Sequence, residues 1–142
     1  MGVRPRYRRK PRRQDGYRSG LEKSVGDALI KTLKKLKGVS YKYESEKLPY
    51  EIPSKVHSYT PDWVIKRANG TTLYVETKGL FASVDRKKMV YVTQQHPKLD
   101  IRMLFSKDQP LYKGSKTKYS NWCEKNNIKY GFGREIPLEW LK

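Results

Sequence analysis

Tyr59-Thr-Pro-Asp-Trp-Val-Ile65, a polar turn, then Thr72-Leu-Tyr-Val-Glu-Thr-Lys-Gly79: these two apolar runs decide how the chain folds. Asn69-Gly70 between them is a strong hairpin signal. Pro61-Asp62 opens the first run and Glu76-Thr77-Lys78 closes the second. If the runs pair, the alternation of side chains along a strand lets Asp62, Glu76 and Lys78 meet at one end of a sheet. Two carboxylates a few Å apart suit Mg²⁺, a hard cation that keeps waters and takes phosphate as co-ligand. A lysine beside it can orient or deprotonate water, or neutralise charge in phosphoryl transfer. The pattern predicts a metal-dependent phosphodiesterase site. Its plainer reading is a turn aspartate after proline and a solvated Glu76/Lys78 strand face.

The surrounding composition favours the first reading. The 142 residues suit one domain, and their net charge is +18, with 32 Lys plus Arg against 14 Asp plus Glu. Such an excess points to a polyanion, and nucleic acid is the commonest. There is no long apolar run and no signal-peptide pattern to favour a membrane. The one cysteine, Cys123, excludes an internal disulfide and a thiolate zinc site, fits a reducing cytoplasm, and is expected to be buried in a helix. Residues 1–16 are expected to be a disordered basic arm, because arginines crowd there without apolar periodicity. Residues 17–142 form the predicted domain.

Ser19-Gly-Leu-Glu22 is a capping box that starts a helix, with Leu21, Val25, Ala28, Leu29, Leu33 and Leu36 on one face and Gly38 as the stop. Glu22 therefore has two readings, a cap or a functional acid. Val39–Tyr43 alternates as a strand. Lys47-Leu-Pro-Tyr-Glu-Ile-Pro53 is extended, stiffened by two prolines and without a glycine to fold it back. It is either an exposed connection or a bridge swapped between two subunits. After the hairpin come a helix over 83–95, a strand over 101–105, a basic loop over 107–118, a short helix over 119–126, a strand over 128–130 and an apolar C-terminal tuck over 136–141. This order predicts an α/β (α+β) fold, a mixed central β-sheet flanked by helices. His57 and His96 lack metal spacing; His57 stands close enough to Asp62 to reach substrate or a supporting position.

Taken together, Tyr17-Arg-Ser-Gly-Leu-Glu22, Tyr59-Thr-Pro-Asp62, Val75-Glu-Thr-Lys-Gly-Leu80, Asp85-Arg-Lys-Lys88, Gln95-His-Pro97, Leu99-Asp-Ile-Arg102, Leu111-Tyr-Lys-Gly-Ser115 and Cys123-Glu-Lys125 resemble the phage endonuclease I family, in order, over about residues 17–141. These are junction-resolving enzymes of short-tailed bacteriophages with a restriction-endonuclease-like core. The resemblance implies Mg²⁺, with Mn²⁺ able to substitute, held by Asp62, Glu76 and the Thr77 carbonyl. Lys78 is implied as the catalytic lysine, and Glu22 as a further acidic residue delivered from the partner subunit. It implies an intertwined homodimer whose bridge is residues 47–53. Its substrate is branched DNA, above all four-way (Holliday) junctions, cut by paired nicks to 5′-phosphate and 3′-hydroxyl in the cytoplasm of the infected bacterial host.

Shape rather than base identity should select such a substrate through phosphate contacts. Arg18, Lys31, Lys87, Lys88, Lys113 and Lys116 are the candidates for them. The chain departs from the family in a longer Asp62–Glu76 segment, in an arginine-rich arm and in lacking a basic tail, whose nonspecific role the arm is expected to take. The competing functions are a non-enzymatic nucleic-acid-binding protein and a repair or transposase-type nuclease on the same core. Clustered carboxylates facing phosphate separate the nuclease from the binder.

Overall fold

Trp63 stands opposite Val75 and Lys66 opposite Thr72 in an antiparallel hairpin of β4 (Trp63–Lys66) and β5 (Thr72–Lys78). The turn forms as the Asn-Gly pair requires. Asn69 Oδ1 accepts from the Thr71 N–H at 2.9 Å, and Gly70 takes φ 86°, a region costly for a residue with a Cβ. The structure, a computed structural model, describes residues 9–52 and 55–142. Its other elements are α1 (Gly20–Leu33), β1 (Ser40–Tyr43), β2 (Leu48–Ile52), β3 (Lys55–Tyr59), α2 (Ser83–Gln95), β6 (Asp100–Phe105), α3 (Tyr119–Lys125) and β7 (Lys129–Phe132).

The main sheet has five strands in the order β1-β4-β5-β6-β7. β1, β4 and β5 run antiparallel, while β5, β6 and β7 are parallel, so the sheet is mixed as expected. A parallel pair needs a crossover, and α2 supplies it between β5 and β6. Alternation then sorts the core. Trp63, Ile65, Leu73 and Val75 face α1 and the C-terminal Ile136, Trp140 and Leu141. Val64, Tyr74, Met103 and Phe105 face α2 and α3. Fully burying each such side chain stabilises by about 1.5–3 kcal/mol. Gly26 lets α1 sit close to the sheet: a Cβ there would overlap the Tyr17 ring and stand 3.2 Å from Trp63.

Two details differ from expectation. α1 ends at Leu33 rather than at Gly38, because Lys35 and Leu36 donate to the carbonyls of Thr32 and Leu33 and tighten the last turn. The segment over 47–53, expected to be extended as an exposed connection or a bridge between subunits, contains β2, which pairs within the chain with β3, Leu48 opposite Tyr59 and Ile52 opposite Lys55. The connecting residues 53–54, like residues 1–8 of the arm, lie outside the described residues. Pro49 is tolerated because both strands of a two-stranded sheet are edges, where a missing N–H can face outward. The hairpin is fixed to α2 by a reciprocal amide pair: Glu51 N–H donates to Gln95 Oε1 and Gln95 Nε2 to the Glu51 carbonyl, each at 2.6 Å. His96, at the end of α2, contacts the Pro49 carbonyl through Nε2, which gives it a structural task.

Candidate active site

Continuing the hairpin register one residue past Trp63–Val75 places Asp62 opposite Glu76, and alternation puts Glu76 and Lys78 on the same face as Tyr74. Asp62, Glu76 and Lys78 thus share the α2 side of the sheet at the end of β5. With Thr77 they line one pocket, together with Glu22 from the first turn of α1 and Lys88 from α2. The residues predicted from the hairpin do converge.

Asp62 and Glu76 are both buried and each is held by a named donor. Asp62 Oδ2 accepts the Thr77 N–H at 2.9 Å and the Thr77 hydroxyl at 2.7 Å. Glu76 Oε2 accepts the Tyr59 hydroxyl at 2.6 Å. Lys78 Nζ stands 3.5 Å from Glu76 Oε1 and 3.5 Å from Asp85 Oδ1. Burial, followed by the charges of Glu76 and Glu22, raises the Asp62 carboxyl well above its ordinary value, against the two Thr77 hydrogen bonds. The phenol of Tyr59 is likewise raised, by burial and then by Glu76, so it stays a donor.

Glu22 both starts its helix and lines the pocket. Ser19 Oγ caps the helix by accepting the Glu22 N–H at 3.2 Å, but the Glu22 carboxylate is turned to the pocket. There it accepts from Ser19 Oγ at 3.1 Å and from the Tyr43 hydroxyl. One chain therefore composes the whole pocket, Glu22 included. Glu22, Glu44 and Asp62 offer carboxylate oxygens that all lie within 4.8 Å of one another.

Glu22 and Asp62, with Glu76 in the same pocket, make a donor set that fits a hard divalent cation. Burial and the mutual repulsion of carboxylates raise the Asp62 carboxyl, and such an ion would relieve the repulsion. Glu44 stands apart from the others. Its oxygens accept from Arg18 at 2.5 and 2.9 Å and from Arg12 at 3.3 Å, and Arg9 Nη1 forms an ion pair with Oε1 at 2.9 Å. Burial pushes the Glu44 carboxyl up, yet the Arg18 hydrogen bond and the charges of Arg9 and Arg18 outweigh it and hold the group below its ordinary value.

The six predicted phosphate contacts divide. Arg18 and Lys88 line the pocket. Lys31, Lys87, Lys113 and Lys116 are exposed and none of them lines it. Lys88 Nζ lies 5.6 Å from the centre of the Tyr59 ring, and burial lowers its pKa, as do Lys78 and Arg9, while Glu76 and Asp85 oppose the shift. His57 packs 5.6 Å from the Tyr50 ring in β3 and does not line the pocket. Cys123 is buried, as predicted. Missed in the sequence were Tyr59, Tyr43, Asp85, Arg9 and Glu44. Asp85 was findable, since Asp85, Lys88, Met89 and Val92 fall at helical spacing on one face of α2.

Comparison with known proteins adds an independent line. The family model described as phage endonuclease I matches residues 2–142. The chain is 46% identical over 132 residues to endonuclease I of Escherichia phage T7, covering 92% of this chain and 82% of that protein. It is 44% identical over 127 residues to endodeoxyribonuclease 1 of Enterobacteria phage T3, covering 89% and 77%.

Proposed function

Because this chain belongs to the phage endonuclease I family, we propose that it is a metal-dependent DNA endonuclease that resolves four-way junctions and other branched DNA by paired nicks, acting as a homodimer. The observation that carries the reading is the meeting of Asp62, Glu76 and Lys78 on one sheet face, with Glu22 from α1 closing the same pocket.

Asp62, Glu76, the Thr77 carbonyl and Glu22 are the residues that would hold Mg²⁺, with Mn²⁺ as a substitute. When bound there, the ion supplies a Lewis acid against the phosphoryl oxygens and makes water a better nucleophile at neutral pH. The chain's own groups do the rest. Thr77 fixes Asp62 and Tyr59 fixes Glu76, so neither carboxylate reorganises as charge develops. Lys78, tethered between Glu76 and Asp85, orients the attacking water and balances charge on the phosphate. Lys88 adds a second ammonium inside the pocket. In-line attack leaves 5′-phosphate and 3′-hydroxyl ends.

Dimerisation by exchange fits the same contacts. Residues 53–54 separate the unit that carries Glu22 from the unit that carries Asp62 and Glu76. Opening that connection in two chains and re-pairing β2 with the partner's β3 rebuilds each pocket from two protomers without a new interface. Residues 47–53 then serve as the bridge. Residues 17–142 are the nuclease domain, and the exposed Lys31, Lys87, Lys113 and Lys116 contact backbone phosphates. No helix among the described residues is long and apolar enough to cross a membrane, and the proposed place of action is the cytoplasm of the infected host.

The test is a labelled four-way junction and its matched linear duplex incubated with Mg²⁺, using wild type and Glu76→Ala. Selective cutting of the junction by wild type alone is expected. Equal cutting of both substrates rejects structure selectivity, cutting by Glu76→Ala rejects the site, and binding without cutting leaves a basic binding protein.

A further inference from the structure

Glu44 follows directly on β1 with its backbone at φ 47°. A residue with a Cβ keeps that left-handed conformation only where its surroundings impose it. Two contacts do so. Its N–H donates to the Asp62 carbonyl at 2.9 Å, and its carboxylate, 4% exposed, is ringed by Arg9, Arg12 and Arg18. The three guanidiniums also face the neighbouring acids, since Glu22 and Asp62 offer oxygens within 4.8 Å of the Glu44 carboxylate and Arg9 stands near Asp62. Neutralising that cluster does not require all three arginines to meet on one residue. What the arrangement does achieve is placement. Arg18 is gripped through Nε and Nη2 at once, and an arginine has five N–H donors, so others remain for a second anion. Arg9 reaches past Glu44 to within 3.9 Å of Asp62 Oδ1, so the cluster adjoins the proposed reaction centre.

We propose that Glu44 is a positioning residue for the nuclease reaction: it gathers Arg9, Arg12 and Arg18 into a clamp for a nucleic-acid backbone phosphate at the mouth of the catalytic pocket. The proposal rests on the nuclease reading above and deepens it. Guanidinium matches phosphate with planar, two-point geometry that an ammonium lacks; Arg9 and Arg18 line the pocket, and Arg12 joins them through Glu44. The Glu44 carboxylate accepts three hydrogen bonds from Arg18 and Arg12 and pairs with Arg9, so in this reading it serves the arginines. The proximal arm is thus a specific part of the site, in addition to any general attraction it exerts.

Glu44→Gln keeps the shape and removes the charge. By bulk electrostatics, deleting a negative charge from a protein of net charge +18 tightens its hold on DNA, whereas loss of a clamp weakens it, so the sign separates the two. Binding of a labelled four-way junction is measured in EDTA across a salt series, with steady-state cleavage in Mg²⁺ and Mn²⁺ calorimetry without DNA. The expected result is a rise of about tenfold in Kd and KM, with kcat within about twofold. The salt slope falls by about 0.9 for each phosphate that the protein no longer neutralises, and Mn²⁺ affinity is unchanged. Arg18→Ala added to Glu44→Gln should cost little more, since both act through one cluster. Tighter DNA binding makes the arm a plug latched by Glu44 and overturns the proposal. Loss of kcat at constant KM, or of Mn²⁺ affinity at constant Kd, overturns it by making Glu44 part of the reaction centre. Should Glu44→Gln fail to fold, Arg12→Ala, whose side chain is half exposed, must weaken binding in the same direction. A wild type that neither binds nor cuts junctions sinks the nuclease reading and not the role of Glu44 alone.

Discussion

Thr77 donates twice to a single atom, Asp62 Oδ2, through its N–H at 2.9 Å and its hydroxyl at 2.7 Å. The backbone donor survives any substitution, so Thr77→Val isolates the second bond. Removing a supporting hydrogen bond of this kind lowers metal affinity by about 10–100-fold. The expected outcome is a Mg²⁺ requirement for cleavage shifted upward by that factor, with the fold intact by circular dichroism. An unchanged Mg²⁺ titration would mean that the hydroxyl does not hold Asp62 in its working position.

Tyr59→Phe is the matching change at the other carboxylate. The phenol is fully buried and orders Glu76 at 2.6 Å. Its removal leaves Glu76 Oε2 without that donor, at a cost of about 1–3 kcal/mol in stability. Chemical denaturation should register the loss, and junction cleavage at subsaturating Mg²⁺ should fall more than at saturating Mg²⁺. Equal losses at both concentrations would separate Tyr59 from the metal.

Asp62 links pH to stability. Its folded-state pKa is raised, by burial first and then by Glu76 and Glu22, so the folded chain holds that proton more tightly than the unfolded chain does. The associated stability is present below the ordinary aspartate value and is lost as pH rises through the raised one. Metal-free protein should therefore gain stability from Asp62→Asn at pH 8. At pH 4 the gain should shrink. Melting curves in EDTA measure it, and excess Mg²⁺ should stabilise wild type but not the variant, which should be inactive. A variant less stable than wild type at pH 8 in EDTA contradicts the raised carboxyl.

The proposed exchange between protomers has a genetic test. A mixed dimer carries Glu22→Ala on one chain and Asp62→Ala on the other. If pockets are shared, one of them loses both groups and the other is intact, so the dimer nicks one strand. If each chain completes its own pocket, both are damaged and neither strand is cut. Denaturing gels on a junction labelled in each strand read the result directly.

Cys123 should be inert in the native state. Burial, with Asp108 and Glu124 adding to it, pushes its thiol up to about 12. Almost no thiolate exists at pH 8, and the thiolate is the nucleophile. A disulfide reagent should label it only after denaturant is added. Fast labelling of native protein would place the α3 face in solvent.

What the sequence discloses about this molecule follows physical range. α2 was legible to the residue, because its capping region, apolar face and Pro97 are all local. The β4–β5 hairpin was legible for the same reason, and with it the convergence of Asp62, Glu76 and Lys78. β3 was not, since Lys55–Tyr59 owes its pairing to β2 and β2 owes its seat to Gln95, more than forty residues away. Lys87 and Lys88 are alike in sequence, yet one is exposed and the other lines the pocket over Tyr59. Helical phase against Asp85 and Met89 distinguishes them. Glu44 carried no local signal at all, for its backbone conformation and its three arginines come from distant parts of the chain.

The pairing of β2 with β3 has one more outcome. Made within one polypeptide, it gives each chain a full set of reactive groups; made with a neighbour, as proposed, it would give the couple two sets. For chains that exchange in this way, isolated scissions would rise in proportion to total protein, and coincident double scissions would follow the associated fraction alone. Dilution would then govern how many strands are opened per encounter while leaving the bond-breaking step itself intact.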